Sequence, residues 1–171
     1  VTTAPVSRTA GEKPSDRPAK RSIAVLIEEP RVPPAATGES RWLLVRRPPD
    51  DEDLPDAWGL PAGSFRAGES EEALVRRIGR EKLGVELRPA RALLSGHALR
   101  PRCRLEMTLW AAQIERGTPE VPQPAAGVTR YRDWGWRTPN ALRPAAERGS
   151  LCCRLGLAWA GNPPDGGGND S

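Results

Sequence analysis

Between Gly63 and Val85 four charged side chains, Glu69, Arg77, Glu81 and Lys82, stand at spacings that one loop and one helix would bring together. On a helix, residues three and four apart lie close to one face. Glu81 is a carboxylate, the kind of oxygen ligand that hard cations want. Lys82 brings an ammonium, which suits direct contact with a phosphate. Glu71 returns to nearly the same face, but at 1.5 Å rise per residue its Cα lies about 15 Å from that of Glu81, too far to share a metal. His97, the single histidine, has the chemistry of a base, although a histidine beside Gly96 at a strand end reads as structural. The three cysteines, Cys103 and the adjacent Cys152 and Cys153, show no C-x-x-C spacing, which argues against structural zinc. Cys152 and Cys153 read as small apolar fillers of a last helix.

These residues need elements to position them. Ser70 is a good N-cap, and Glu71 and Glu72 suit the positive end of a helix dipole; the helix is expected to run to about Leu83 and end at Gly84 as a C′ glycine. Gly79 inside it costs about 1 kcal/mol relative to alanine, which points to close backbone packing there. Ser22 to Ile27 and Trp42 to Val45 read as strands, and Trp58 to Gly63 as extended and turn-rich. Val85 to Leu94 and Leu105 to Ile114 read as further strands, the second with Leu105, Met107, Leu109 and Ala111 on one side and Glu106, Thr108 and Trp110 on the other. Residues 116–129 are loop-like, Tyr131 to Trp136 forms a short strand, and a helical region begins at Pro139. Residues 1–20 and 161–171 lack core-forming residues and are expected as disordered tails, leaving a folded domain over residues 21–160.

The spacing Gly63, Glu69, Arg77, Glu81, Gly84, Val85 resembles the Nudix box, G-x5-E-x7-R-E-U-x-E-E-x-G-U with U aliphatic. Trp58-Gly-Leu-Pro-Ala-Gly63 is similar to the W-x-L-P-G-G lead-in common before it. The resemblance spans roughly residues 22–160, with its specificity in residues 58–85. It implies an α+β fold, a Nudix-like α/β/α sandwich with a mixed β-sheet. It also implies that Glu69 and Arg77, with Gly63 and Gly84, brace the loop against the helix. In the family, Mg²⁺ or Mn²⁺ held by glutamates of the box neutralises phosphate charge and helps water attack phosphorus. At the three principal ligand places this chain has Ile78, Glu81 and Lys82, so Glu81 is the metal ligand that remains. Glu106 is a candidate carboxylate from outside the box, and Trp58 a candidate for the substrate side.

Two functions follow from the resemblance. The first is a Nudix-type hydrolase acting on a nucleoside diphosphate linked to another group, with a divergent metal centre in which Glu81 and Glu106 are catalytic and Lys82 contacts phosphate. The second is a catalytically inactive Nudix-fold module that binds a nucleotide-like ligand or a protein partner. The net charge of +4 is scattered and interrupted by the acidic run Asp50, Asp51, Glu52, Asp53 and Asp56, which argues against a nucleic-acid reader. No apolar run is long enough to span a membrane, and the unpatterned cysteines suit a reducing compartment. A cytoplasmic protein with a small-molecule ligand is the expectation.

Overall fold

The computed structural model describes residues 16–31, 38–121 and 131–161. The expected tails lie almost wholly outside these residues, as does much of the expected loop over 116–129. Seven strands and three helices follow in chain order: β1 (Ala19–Leu26), β2 (Trp42–Arg46), β3 (Trp58–Gly59), β4 (Ala62–Ser64), α1 (Glu71–Ile78), β5 (Glu86–Leu99), β6 (Arg104–Arg116), β7 (Asp133–Arg137), α2 (Arg143–Glu147) and α3 (Leu151–Gly161). A 3-10 turn (Pro139–Leu142) leads into α2. β1 begins at Ala19 rather than Ser22, because Ala19 to Arg21 pair with Arg104 to Glu106.

The strands form a four-stranded sheet in the order β4-β1-β6-β5 and a three-stranded sheet in the order β3-β2-β7. In the first, β1 runs parallel to β6, while β4 and β5 are antiparallel to their neighbours, so the sheet is mixed. The second is antiparallel throughout. The end of β1 ties the two together: Leu43 N–H donates to the Ile27 carbonyl at 2.8 Å, and Glu28 bridges to Trp42.

Strand alternation divides the interior into two cores. Ile23, Val25 and Ile27 of β1 and the segment after it, with Leu43 and Val45 of β2, pack with Leu74, Val75 and Ile78 of α1. Ala24, Leu26, Trp42 and Leu44 turn the other way, together with Met107 and Leu109, and pack with Leu142, Ala145, Leu151 and Leu155. The sheets are therefore a middle layer between α1 on one face and α2 with α3 on the other, an α/β/α sandwich.

The helix after Ser70 differs from expectation. The Ser70 hydroxyl caps it by accepting from Ala73 N–H at 3.1 Å, but regular α-helix stops at Ile78. Gly79–Leu83 form a π turn, in which Gly84 N–H reaches back five residues to the Gly79 carbonyl. Gly84 then leaves the helix at φ 66°, a left-handed conformation that glycine adopts without Cβ strain. The physical reason lies at Gly79. A Cβ there would stand 2.6 Å from Leu87 Cγ and 2.9 Å from the Val85 carbonyl oxygen, so the chain returning into β5 presses directly on the helix backbone.

Candidate functional site

Ile78, Glu81 and Lys82 meet three different surroundings. Ile78 enters the core at 1% exposure, with its Cγ1 3.0 Å from where a Cβ on Gly63 would stand. Glu81 turns toward the loop before α1. Lys82 turns toward a cleft on the other side.

On the loop side, Arg77 is the hub. Its Nε and Nη2 donate to the two carboxylate oxygens of Glu69 at 2.7 and 2.8 Å. Nη2 also donates to the Ser64 carbonyl at 2.7 Å, and Nη1 to Glu81 at 3.1 Å. Glu69 in turn accepts from the Arg66 N–H at 3.1 Å, which closes the loop on itself. The Arg77 hydrogen bond holds the Glu69 carboxyl below the usual carboxylate range, with burial opposing it. Such a bidentate, half-buried pair is stronger than a surface ion pair. Arg66 donates to the other oxygen of Glu81 at 3.0 Å, so both oxygens of Glu81 face guanidinium groups.

Lys82 lies in a cleft of about 810 Å³ together with Arg47, Trp58, Tyr131, Cys152 and Arg148. Its ammonium sits 5.2 Å from the centroid of the Tyr131 ring, a favourable cation–π arrangement. Burial, with the Arg47 and Arg77 cations and against the pull of Glu81, lowers the lysine to about 8. Tyr131 is fixed by its hydroxyl, which accepts from the Ala62 N–H at 3.4 Å; burial pushes its phenol up to about 12. Trp58 lines the same cleft, with the Arg137 guanidinium 4.0 Å and the Arg46 guanidinium 5.9 Å from its ring centroid. Lys82 and Trp58 are thus brought together. Arg47 and Tyr131 were not singled out from sequence, although Arg47 follows a strand and Tyr131 is the sole tyrosine.

Glu106 lines a separate hollow of about 630 Å³ with Arg21, Phe65, His97 and Arg104, and its carboxylate accepts from Arg104 at 2.7 and 3.1 Å. Neither Glu81 nor Lys82 lines this hollow.

The donor set around Glu81 does not fit Mg²⁺ or Mn²⁺. Hard cations take several oxygen ligands, and here the neighbouring positions are a buried isoleucine and a lysine, while both glutamate oxygens are engaged by arginines. Among the described residues, no group of three His, Cys, Asp or Glu side chains is placed to hold a metal ion.

No protein-family profile matches the chain, and neither does any curated protein sequence. Solved structures do. A Nudix hydrolase from Nitrosomonas europaea superposes with a TM-score of 0.63 at 16% identity, covering 84% of this chain and 88% of that one. A MutT Nudix hydrolase from Burkholderia pseudomallei gives 0.55 at 23% identity, with 77% and 98% covered. An Ap4A hydrolase from C. elegans gives 0.55 at 18% identity, with 83% and 98% covered. With its layered architecture and the loop–helix brace at Arg77, this chain has the fold of the Nudix hydrolases.

Proposed function

We propose that this chain is a Nudix-type hydrolase whose cleft takes a nucleotide-like compound, a nucleoside diphosphate linked to another group, with Lys82 on the phosphate. The observation that carries this reading is Lys82 itself, half-buried in the cleft over Tyr131 and beside Arg47. A buried ammonium with no carboxylate among the described residues bonded to it has a strong electrostatic demand for an anion, and a phosphate oxygen meets that demand. The cleft has the size of a small-molecule site, and Trp58 offers a face for a base or sugar. The class of ligand also fits the similar solved structures, whose names include an Ap4A hydrolase and a UDP-X diphosphatase. Hydrolysis would add water to phosphorus and break the bridging P–O bond, giving two phosphate products. Because the residues at Glu81 do not fit a metal, no step is assigned to one. Lys82 and the cleft arginines act by binding and orienting the phosphates and offsetting their charge.

The direct test is turnover of a panel of nucleoside diphosphate compounds with and without Mg²⁺ and Mn²⁺, read by chromatography of the products. At least one compound should be cleaved, and Lys82→Met should raise its KM about tenfold or more, the loss of one charge-assisted hydrogen bond. Failure to cleave any compound removes the hydrolase reading.

A second reading rests on one specific observation, the engagement of both Glu81 oxygens by Arg66 and Arg77. It is a module that binds the same nucleotide-like compounds and does not turn them over. A thermal-shift screen distinguishes it: stabilisation without metal and without product supports it, and a strict metal requirement counts against it. Three free thiols suit a reducing compartment, and we place the protein in the cytoplasm on that ground. No helix among the described residues is long and apolar enough to cross a membrane.

A further inference from the structure

Cys152 and Cys153 open α3 side by side, and both line the cleft. Their sulfurs are 3.8 Å apart. That is the edge of a tetrahedral thiolate centre: two metal–sulfur bonds of about 2.3 Å at the tetrahedral angle place the sulfurs about 3.8 Å apart. Gly59 of β3 passes over the pair, and a Cβ on it would stand 3.6 Å from the Cys153 sulfur and 4.0 Å from that of Cys152. Glycine therefore keeps a methyl-sized space open above both sulfurs. We propose that Cys152 and Cys153 form a chelating dithiol on the cleft wall for a soft, thiophilic ligand such as a trivalent arsenical or a d10 metal ion. This inference shares the cleft with the phosphate reading but does not rest on Lys82, Arg47, Tyr131 or Trp58.

The surroundings suit ligation. Ser150 lies 3.3 Å from the Cys152 sulfur, and its hydroxyl accepts from the Cys153 N–H at 3.5 Å at the start of the helix. Helix N-termini favour thiolate over thiol. The neighbouring Cys153 thiol draws the Cys152 thiol down, with help from Ser150 and the Leu60 N–H, while that same partnership pushes Cys153 up. Soft thiolates select soft acids over Mg²⁺ or Ca²⁺.

Phenylarsine oxide tests this on the full chain. Two S–As bonds form, the arsenic–oxygen bond breaks, and the oxygen leaves as water with both thiol protons, with no change of oxidation state. Intact-mass spectrometry should show one adduct that survives excess glutathione and is reversed by a competing dithiol. Cys152→Ser and Cys153→Ser should each abolish the glutathione-resistant adduct, and Cys103→Ser should keep it. Gly59→Ala, an ordinary contact for the folded chain, should slow adduct formation about tenfold, or ~1.4 kcal/mol on the barrier, with all thiols intact. The proposal is overturned if no resistant adduct forms, if it persists in either single serine variant, or if Gly59→Ala leaves its rate unchanged.

Discussion

Replacing Lys82 by methionine should stabilise the folded chain while weakening its ligand binding. In the fold, burial first and the Arg47 and Arg77 cations second, opposed by Glu81, together take this lysine from 10.5 to about 8. At about 1.4 kcal/mol per tenfold change, keeping it charged inside the fold costs roughly 3 kcal/mol at pH 7. Methionine removes that penalty and keeps most of the apolar stem, but loses the cation–π contact with Tyr131, which is worth about 0.5–1 kcal/mol. The net gain is about 2 kcal/mol, or several degrees in Tm for a chain of this size. The sign with pH follows from proton counting. A lysine whose folded-state value is depressed binds fewer protons folded than unfolded between about pH 8 and 10.5, so wild-type stability rises across that window. The two proteins should therefore differ most at pH 7 and converge near pH 10.5, while other titrating groups cancel in the difference. Urea unfolding at pH 7, 8.5 and 10, with m held constant between variants, measures this. A Lys82→Met protein no more stable than wild type at pH 7, or a gap that persists at pH 10.5, refutes the burial argument.

Other consequences follow from the same contacts. Arg77→Met strands Glu69, whose side chain is 12% exposed, and should cost about 3 kcal/mol in chemical denaturation. Because the Glu69 carboxyl is held low by Arg77, that difference should be largest above pH 4.5 and shrink as pH falls through the depressed value, the lost Arg77 bonds to Ser64 and Glu81 remaining. Gly79→Ala gains up to about 1 kcal/mol of helix propensity but forces a methyl against Leu87 and the Val85 carbonyl. Overpacking of about 1–3 kcal/mol should win, seen as a lower Tm. Glu106→Gln, in its own hollow with Arg104, should change stability by less than about 1 kcal/mol. It should also leave calorimetric affinity for the best compound of the nucleotide panel unaltered; a marked loss would join that hollow to the cleft.

Much of the scaffold was legible because it rests on local rules. The β-branched run from Ile23, the alternation of Leu105, Met107 and Leu109, the Ser70 cap and the glycine at 84 each specify an element by short-range physics. The π turn was not legible, because it arises from a contact between Gly79 and Leu87, eight residues apart in sequence, across the return into β5. Sequence spacing could mark Gly79 as a close-packing site, but could not tell that the helix there would widen into a π turn. For the same reason Glu106 could be placed on the correct face of β6 but not relative to Glu81. Tyr131 and Arg47 meet Lys82 only through tertiary folding.

The substitutions at positions 78 and 82 change the sign of what the site needs. As it stands, Glu69, Arg66, Arg77, Glu81 and Lys82 comprise two carboxylates, two guanidinium groups and one ammonium, which leaves one positive charge in excess. Carboxylates in place of Ile78 and Lys82, as the family's box has them, would instead leave two negative charges in excess, the charge that one divalent cation neutralises. The internal arginine pairing of Glu81 and the exposed demand of Lys82 are thus one electrostatic fact seen from two sides of the π turn. A cluster that has no charge left for a cation is complementary to an anion, and the cleft over Tyr131 is where an anion reaches it. The fold therefore persists in this chain without the carboxylates that would hold a metal, and the charge balance supports the proposed phosphate contact at Lys82.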